Sequence, residues 1–177
     1  MSRSFSSVIF DFDGTLFDSR KGIISSVKYA LDDMGIPYPS EDELTAFIGP
    51  PLLWSFKKQF ALDEEEAKYA VSKLREHYDA IGYLGSQAYA GMESLICALK
   101  AKSCKLAIAT AKPTIYAEKI LVENNWQTYF DSLRGSSLKG ELYPKERTIG
   151  EALEDLKVMN KEKVVMIGDT IYDIKGA

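Results

Sequence analysis

The apolar and polar positions of the chain follow two periods, and each period predicts a different kind of element. Apolar residues recur at the spacing of one helical face over 22–34, 52–60 and 63–81. Ser40 and Glu43 have the form of a capping box that begins another short helix. These patterns predict four successive helices between residues 19 and 82.

Outside that segment, short apolar runs alternate with helical patterns. The runs predict strands over 8–10, 105–110 and 163–168 and a shorter one near 130–133, and the helical patterns lie over 92–102, 114–124 and 145–157. Strands that alternate with helices in this way form a parallel sheet covered on both faces. We therefore predict an α/β core domain formed by residues 1–18 and 83–177, with residues 19–82 inserted as a helical domain.

Composition and charge fit an ordinary water-soluble enzyme. The chain has 177 residues, 46% of them hydrophobic, which is enough for one core and a small insertion. Its net charge of -4 argues against a basic nucleic-acid surface. The sequence has neither a signal-peptide-length apolar stretch nor an uncharged run long enough to span a membrane. We therefore expect a cytoplasmic protein that binds neither membrane nor nucleic acid.

Two carboxylates follow the first predicted strand. Because alternate strand residues project to one face, Asp11 and Asp13 are expected to converge, and Gly14 then allows the backbone to turn. Carboxylates this close repel one another unless a cation or a shared proton relieves them, which makes a divalent metal ion the natural third partner. The alternative is a strand that simply ends in an acidic turn.

Three further groups of polar residues lie at predicted strand and helix ends. Thr110 ends a strand, and the residues after it are expected to begin a helix whose amides, with the hydroxyl, hold a phosphate. Lys145 begins a helix and offers a lone ammonium, while Asp169 and Asp173 would complete an oxygen cage for a metal ion. The alternatives are a helix cap for Thr110, a solvated side chain for Lys145, and a first-turn helix acid for Asp173.

In this order the four groups resemble the motifs of the haloacid dehalogenase superfamily. The segment 48–52 is similar to the cap loop of its phosphoglycolate phosphatase-like members. The resemblance implies a Rossmann-like three-layer core, a small helical cap over 19–82, a Mg²⁺ cofactor and an aspartyl-phosphate intermediate. The resemblance assigns catalytic roles to Asp11, Asp13, Thr110 and Lys145. It assigns substrate binding to Gly49, Ala111 and Lys112. It assigns metal binding to Asp11, Asp169 and Asp173 through their carboxylates and to Asp13 through its carbonyl.

The resemblance implies a magnesium-dependent phosphatase that acts on a small phosphate monoester, such as phosphoglycolate, a nucleotide or a sugar phosphate. Asp11 would attack phosphorus, and Asp13 would protonate the leaving alcohol. Position 111 departs from the family pattern, because Ser or Asn often follows the threonine there and this chain has Ala111. For Lys112 the alternative to substrate binding is a solvated surface side chain. A phosphomutase on the same scaffold and a catalytically silent binding module remain open, as does the oligomeric state.

The end of the sequence also departs from the family pattern. In related proteins a helix and at least one more strand follow the Gly-Asp-x-x-x-Asp motif, whereas here only four residues follow Asp173. We therefore expect a truncated core in which strand 163–168 lies at an edge of the sheet. The loop that carries Asp169 and Asp173 would then depend on a metal ion or a neighbouring chain for its order.

Overall fold

The computed structural model describes residues 5–138 and 144–177. Its strands are β1 (Ser7–Phe10), β2 (Phe17–Asp18), β3 (Gln87–Ala88), β4 (Lys105–Pro113), β5 (Ser132–Ser136) and β6 (Val164–Ile167). Its α-helices are α1 (Arg20–Asp33), α2 (Glu41–Leu44), α3 (Leu52–Phe60), α4 (Glu64–Ala80), α5 (Met92–Ala101), α6 (Thr114–Glu123), α7 (Lys145–Asp155) and α8 (Ile171–Gly176). Short 3₁₀ helices span Thr45–Phe47, Gly82–Gly85 and Lys161–Lys163. None of the described helices has the length and apolar character that a membrane span requires.

The chain divides into two compact units, one formed by Met1–Asp18 with Ala88–Ala177 and the other by Ser19–Gln87. The first, the core unit, contains a four-stranded sheet in the order β5-β4-β1-β6. Its neighbouring strands are all parallel. The predicted α/β fold with a parallel sheet is therefore confirmed.

The interior of the sheet is apolar on both faces. On one face Ile9, Ala107 and Ala109 pack against Ile149 and Ala152 of α7. The alternate residues of β1 and β4 are also buried, and α5 and α6 contact β4. This burial on both faces explains why the central strands are continuous apolar runs rather than alternating ones.

Strand β6 forms one edge of this sheet, as the sequence predicts. It pairs with β1 in the register Ser7 with Val164 and Phe10 with Ile167. All four of its residues are half-buried, whereas all four residues of β1 are buried. The ladder continues one step beyond β1, where the Asp11 amide donates to the Ile167 carbonyl at 2.8 Å.

The largest departure from the predicted elements lies after Thr110. Strand β4 does not end there but continues to Pro113, so residues 111–113 do not open the helix, which begins at Thr114 as the pattern over 114–124 predicts. The pairing of β4 with β5 shifts register between Ala109 and Pro113, which marks a bulge. A tertiary contact, the pairing with β5, therefore keeps residues 111–113 extended where the sequence favoured a helix start.

The second unit, the helical unit, is formed by α1 to α4. Helix α4 packs against both α1 and α3. The rings of Phe47 and Phe56 meet edge to face at 4.8 Å, and both side chains are buried. The predicted capping box of Ser40 and Glu43 is present at the start of α2.

Close backbone packing within the helical unit makes Gly22 sensitive to substitution. A Cβ atom at Gly22 would overlap the carbonyl oxygen of Gly82. We expect Gly22→Ala to lower the free energy of unfolding by about 1–3 kcal/mol, because backbone must move to admit the methyl group. Gly150→Ala in α7 is the matched control, since nothing lies within 4 Å of its Cβ position. Gly150→Ala should be neutral or should raise the free energy of unfolding by up to about 1 kcal/mol. Urea denaturation measures both variants, and equal effects would contradict the close packing at Gly22.

Candidate active site

The parallel sheet brings the candidate residues to one edge. Asp11 follows β1 directly, Thr110 lies in β4, and Asp169 follows β6 after one glycine. Because β1, β4 and β6 are parallel, their carboxyl ends lie at the same edge of the sheet. Lys145, the first residue of α7, contacts this edge through its side chain.

The Lys145 ammonium bridges two buried carboxylates. Its Nζ lies 2.6 Å from Oδ1 of Asp11 and 2.7 Å from Oδ1 of Asp173. The Lys145 side chain is only 7% exposed, so it is not a solvated surface lysine. Asp173 also accepts hydrogen bonds from the amide and hydroxyl of Thr170, at 3.0 and 2.7 Å. Asp173 is therefore a first-turn acid of α8, as its alternative interpretation has it, and contacts Lys145 at the same time.

Burial and the shared lysine shift the two carboxyl pKa values in opposite directions. Burial raises the pKa of Asp11 from 3.8 to about 6, although Lys145 opposes this change. Burial acts in the same direction on Asp173, but the hydrogen bonds from Lys145 and Thr170 outweigh it and leave its pKa below the usual value. At neutral pH both groups are mainly ionised, and Asp11, whose pKa is the higher of the two, takes up a proton first on acidification.

The raised pKa of Asp11 predicts a pH-dependent difference between the wild type and Asp11→Asn. A carboxyl whose pKa rises on folding contributes stability that is complete below its unfolded pKa, near 3.8, and is lost as the pH rises through about 6. Without added metal, Asp11→Asn should therefore gain up to about 3 kcal/mol relative to the wild type between pH 4 and pH 7. Denaturant titrations of both proteins at several pH values measure this difference. A constant difference across that range would contradict the burial of Asp11.

Asp11, Asp169 and Asp173 form a group of carboxylates suited to a hard cation. One oxygen from each lies within 4.8 Å of the others. The ligand oxygens of an octahedral Mg²⁺ ion, at about 2.0–2.1 Å from the metal, lie roughly 3–4 Å apart, so this donor set fits the ion. Two glycines provide the space: a Cβ at Gly14 would overlap the Asp169 carboxylate, and one at Gly168 would overlap that of Asp173. Gly14 also has φ +82°, which disfavours any other residue.

The Asp13 carboxylate is not a member of this group of metal-binding candidates. Its Oδ1 and Oδ2 accept hydrogen bonds from Nζ of Lys112 at 3.0 and 3.1 Å, whereas the Asp11 carboxylate contacts Lys145. The convergence of the Asp11 and Asp13 carboxylates on one point stays a prediction. Strand β1 ends at Phe10, and Asp13 follows it at an isolated bridge with Phe17, just before the turn that begins at Gly14. A part for the Asp13 carbonyl in metal binding stays a prediction.

The other predicted substrate and phosphate residues lie in different surroundings. Thr110 is buried, and its hydroxyl accepts the Lys112 amide at 3.1 Å, so it caps a local turn rather than α6. The carbonyl of Ala111 accepts the Ser136 hydroxyl at 2.8 Å. Gly49 belongs to the helical unit, between the 3₁₀ helix Thr45–Phe47 and α3, with φ +101°. Its contribution to substrate binding stays a prediction.

Two threonines contribute to the site without having been predicted. The Thr15 hydroxyl donates to Oδ1 of Asp169 at 3.4 Å. Thr170 forms a capping box with Asp173 at the start of α8. The spacing of Thr170 and Asp173, a hydroxyl followed three residues later by an acid, is the signal that could have revealed the second contact. No comparable local signal marks Thr15.

Comparison with known proteins identifies the family. Residues 8–177 match the family described as haloacid dehalogenase-like hydrolase. A 5'-nucleotidase from Pseudomonas aeruginosa is 37% identical over 170 residues, covering 96% of this chain and 76% of that protein. A phosphoglycolate phosphatase from Aquifex aeolicus is 31% identical over 168 residues, covering 95% of this chain and 78% of that protein. The chain therefore belongs to the haloacid dehalogenase-like hydrolases, a family of enzymes.

Two further comparisons concern length and fold. The tyrosine-protein kinase PtkA of Mycobacterium tuberculosis is 34% identical over 170 residues, but this chain spans only 57% of its length. The crystal structure of a predicted phosphatase from Clostridium acetobutylicum superposes with a TM-score of 0.87 at 40% identity. That superposition covers 98% of this chain and 80% of the other. The family resemblance and the expectation of an enzyme, both drawn from the sequence, are confirmed.

Proposed function

We propose that the protein is a magnesium-dependent phosphatase that hydrolyses a small phosphate monoester through an aspartyl phosphate on Asp11. The observation that supports this most is the division of charges at the sheet edge. Asp11 contacts a cation and lies beside two further carboxylates, whereas Asp13 is held separately by Lys112. This division of charges supports a nucleophilic role for Asp11 and a proton-exchanging role for Asp13.

In the first step an Asp11 carboxylate oxygen bonds to phosphorus as the ester P–O bond breaks. The Asp13 carboxyl gives its proton to the departing oxygen, so the product leaves as an alcohol rather than an alkoxide. Lys145, whose Nζ lies 2.6 Å from Asp11, neutralises charge that gathers on the phosphoryl oxygens. The Thr110 hydroxyl is the remaining candidate donor to one of those oxygens.

In the second step water attacks the phosphorus of the aspartyl phosphate. The Asp13 carboxylate accepts the proton of that water, and the bond between phosphorus and the Asp11 oxygen breaks. Inorganic phosphate leaves, the Asp11 carboxylate is restored, and Asp13 again carries its proton. An acyl phosphate is far more reactive toward water than an alkyl ester, which is the advantage of dividing the reaction.

Asp11, Asp169 and Asp173, with the carbonyl of Asp13, are the groups that would hold Mg²⁺. The bound ion would neutralise phosphate charge and so permit an anionic nucleophile to approach a dianion. The oxygen-only donor set favours Mg²⁺ over the softer transition metals.

The names of the relatives guide the choice of substrate. They are a 5'-nucleotidase and a phosphoglycolate phosphatase, so a nucleoside 5'-monophosphate and phosphoglycolate are the first substrates to test. Gly49 and Ala111 are proposed to contact the substrate. Selection among small esters would depend on the helical unit.

A screen for phosphate release from a few dozen phosphorylated metabolites, with and without Mg²⁺, tests the proposal. We expect magnesium-dependent release from at least one monoester and none from phosphodiesters. Diester cleavage combined with inactivity on every monoester would refute the proposed function. An absolute requirement for a bisphosphate activator would instead indicate a phosphomutase, and metabolite binding without turnover a silent binding module.

A further inference from the structure

The placement of Lys112 is not explained by substrate binding. Its side chain is only 4% exposed, and its Nζ lies 3.0 Å from Oδ1 and 3.1 Å from Oδ2 of Asp13. The ammonium also lies 5.8 Å from the centre of the buried Phe12 ring. A lysine that recognises substrate phosphate would direct its donors toward solvent, whereas this one directs two of them to a neighbouring carboxylate.

The backbone that carries Lys112 is held on several sides. The bulge between Ala109 and Pro113 lies at this position and redirects the chain within β4. The Thr110 hydroxyl accepts the Lys112 amide at 3.1 Å, and the neighbouring Ala111 carbonyl accepts the Ser136 hydroxyl at 2.8 Å. On β5, a Cβ at Gly135 would lie 2.5 Å from the Lys112 carbonyl oxygen. The side chain therefore starts from a backbone position fixed by two strands.

We propose that Lys112 is a positioning residue that holds the Asp13 carboxylate in place for proton transfer to the leaving group. The inference rests on the proposed function, in which Asp13 is the acid and base. Asp13 lies beyond the end of β1, where its backbone forms only an isolated bridge with Phe17, so no continuous ladder of strand pairing restrains it. Hydrogen bonds from one ammonium to both oxygens fix the plane of the carboxylate. Each Asp13 carboxylate oxygen has two lone pairs, so an oxygen that accepts a hydrogen bond from Lys112 can still accept the proton exchanged with substrate or water.

The two roles open to Lys112 make different kinetic predictions. A positioning residue acts only where Asp13 acts, so its loss should matter most for esters whose leaving oxygen needs a proton. A phosphate-binding residue touches the group that all monoesters share, so its loss should raise KM similarly for all of them. Comparing an alkyl phosphate with p-nitrophenyl phosphate separates these cases, because nitrophenolate departs readily without protonation.

We expect Lys112→Met to lower kcat on the alkyl ester by about tenfold to hundredfold, the range that misplacement of a reacting group produces. The loss on p-nitrophenyl phosphate should be several-fold smaller, with KM nearly unchanged for both. In an Asp13→Asn background, Lys112→Met should cause no further loss on the alkyl ester, because the group it positions is already absent. Lys102→Met, an exposed lysine after α5, is the matched control and should behave as the wild type.

Equal losses on the two esters with raised KM values would overturn the proposal and assign Lys112 to phosphate binding. Additive losses in the double variant would overturn it as well. If Lys112→Met does not fold, Lys112→Gln, which keeps a polar group at the same buried position, is compared with the wild type on the same two esters. Wild-type protein that is inactive on every monoester would instead contradict the proposed function itself, so the two failures are distinguishable.

Discussion

Asp11→Asn should abolish phosphate release from every monoester that the wild type hydrolyses. The amide has nearly the shape of the carboxylate but is a poor nucleophile, and it cannot serve as an anionic metal ligand. Loss of a covalent nucleophile costs on the order of 10⁴-fold or more in turnover. Phosphate release under saturating substrate and Mg²⁺ measures the effect. Near-normal turnover in this variant would exclude the covalent mechanism.

Two further measurements make the Asp11 result specific. Wild-type protein quenched in acid during turnover should show the mass of one added phosphoryl group, which hydroxylamine removes, and Asp11→Asn should show neither. Glu154→Gln is the control for the chemical change, because it replaces an exposed carboxylate on α7 by an amide away from the site. It should retain wild-type turnover. The Asp11 variant should remain folded, because Lys145 keeps its second partner, Asp173.

The parts of the site that the sequence could predict are those that strand ends dictate. Apolar runs followed at once by Asp11 or by Gly168 and Asp169 predict buried strands with polar ends. Parallel pairing brings the carboxyl ends of these strands to one edge of the sheet, so the strand pattern alone predicts that Asp11 and Asp169 lie at the same edge. The capping-box spacing of Thr170 and Asp173 likewise encodes its own local contact.

The pairing of Lys112 with Asp13 could not be predicted in the same way. Locally, residues 111–113 are as compatible with a helix start as with a strand, because Pro113 suits the first turn of a helix. Pairing with β5, which is distant in sequence, keeps them extended and creates the bulge. Asp13 lies beyond the end of β1, at an isolated bridge with Phe17, so its contact with Lys112 does not follow from the alternation of β1 residues. Both partners therefore depend on tertiary contacts that no local pattern records.

Lys145→Met should combine a large loss of stability with a loss of activity. The substitution leaves the Asp11 and Asp173 carboxylates, 10% and 3% exposed, without the ammonium that lies between them. Removing one partner of a buried ion pair costs about 3–5 kcal/mol, because the remaining charge is desolvated and unpaired. Loss of a preorganised cation at the phosphoryl group should lower kcat by roughly 10²–10³-fold. Urea denaturation and phosphate release measure the two effects. Lys100→Met removes an ion pair whose side chains are 35% and 41% exposed, so it should cost at most about 1 kcal/mol.

The loss of stability in Lys145→Met should depend on both pH and Mg²⁺. Without the lysine, mutual repulsion and burial raise the pKa values of both carboxyls on folding, so stability is lost as the pH rises through those raised values. The defect should therefore be larger at pH 7.5 than at pH 5, where a proton neutralises Asp11 first, since its pKa is already about 6 beside the lysine. A divalent cation bound by Asp11, Asp169 and Asp173 would supply the missing positive charge, so Mg²⁺ should stabilise the variant more than the wild type. A defect of the same size at both pH values and unaffected by Mg²⁺ would show that packing of the lysine side chain, rather than its charge, stabilises this edge of the sheet.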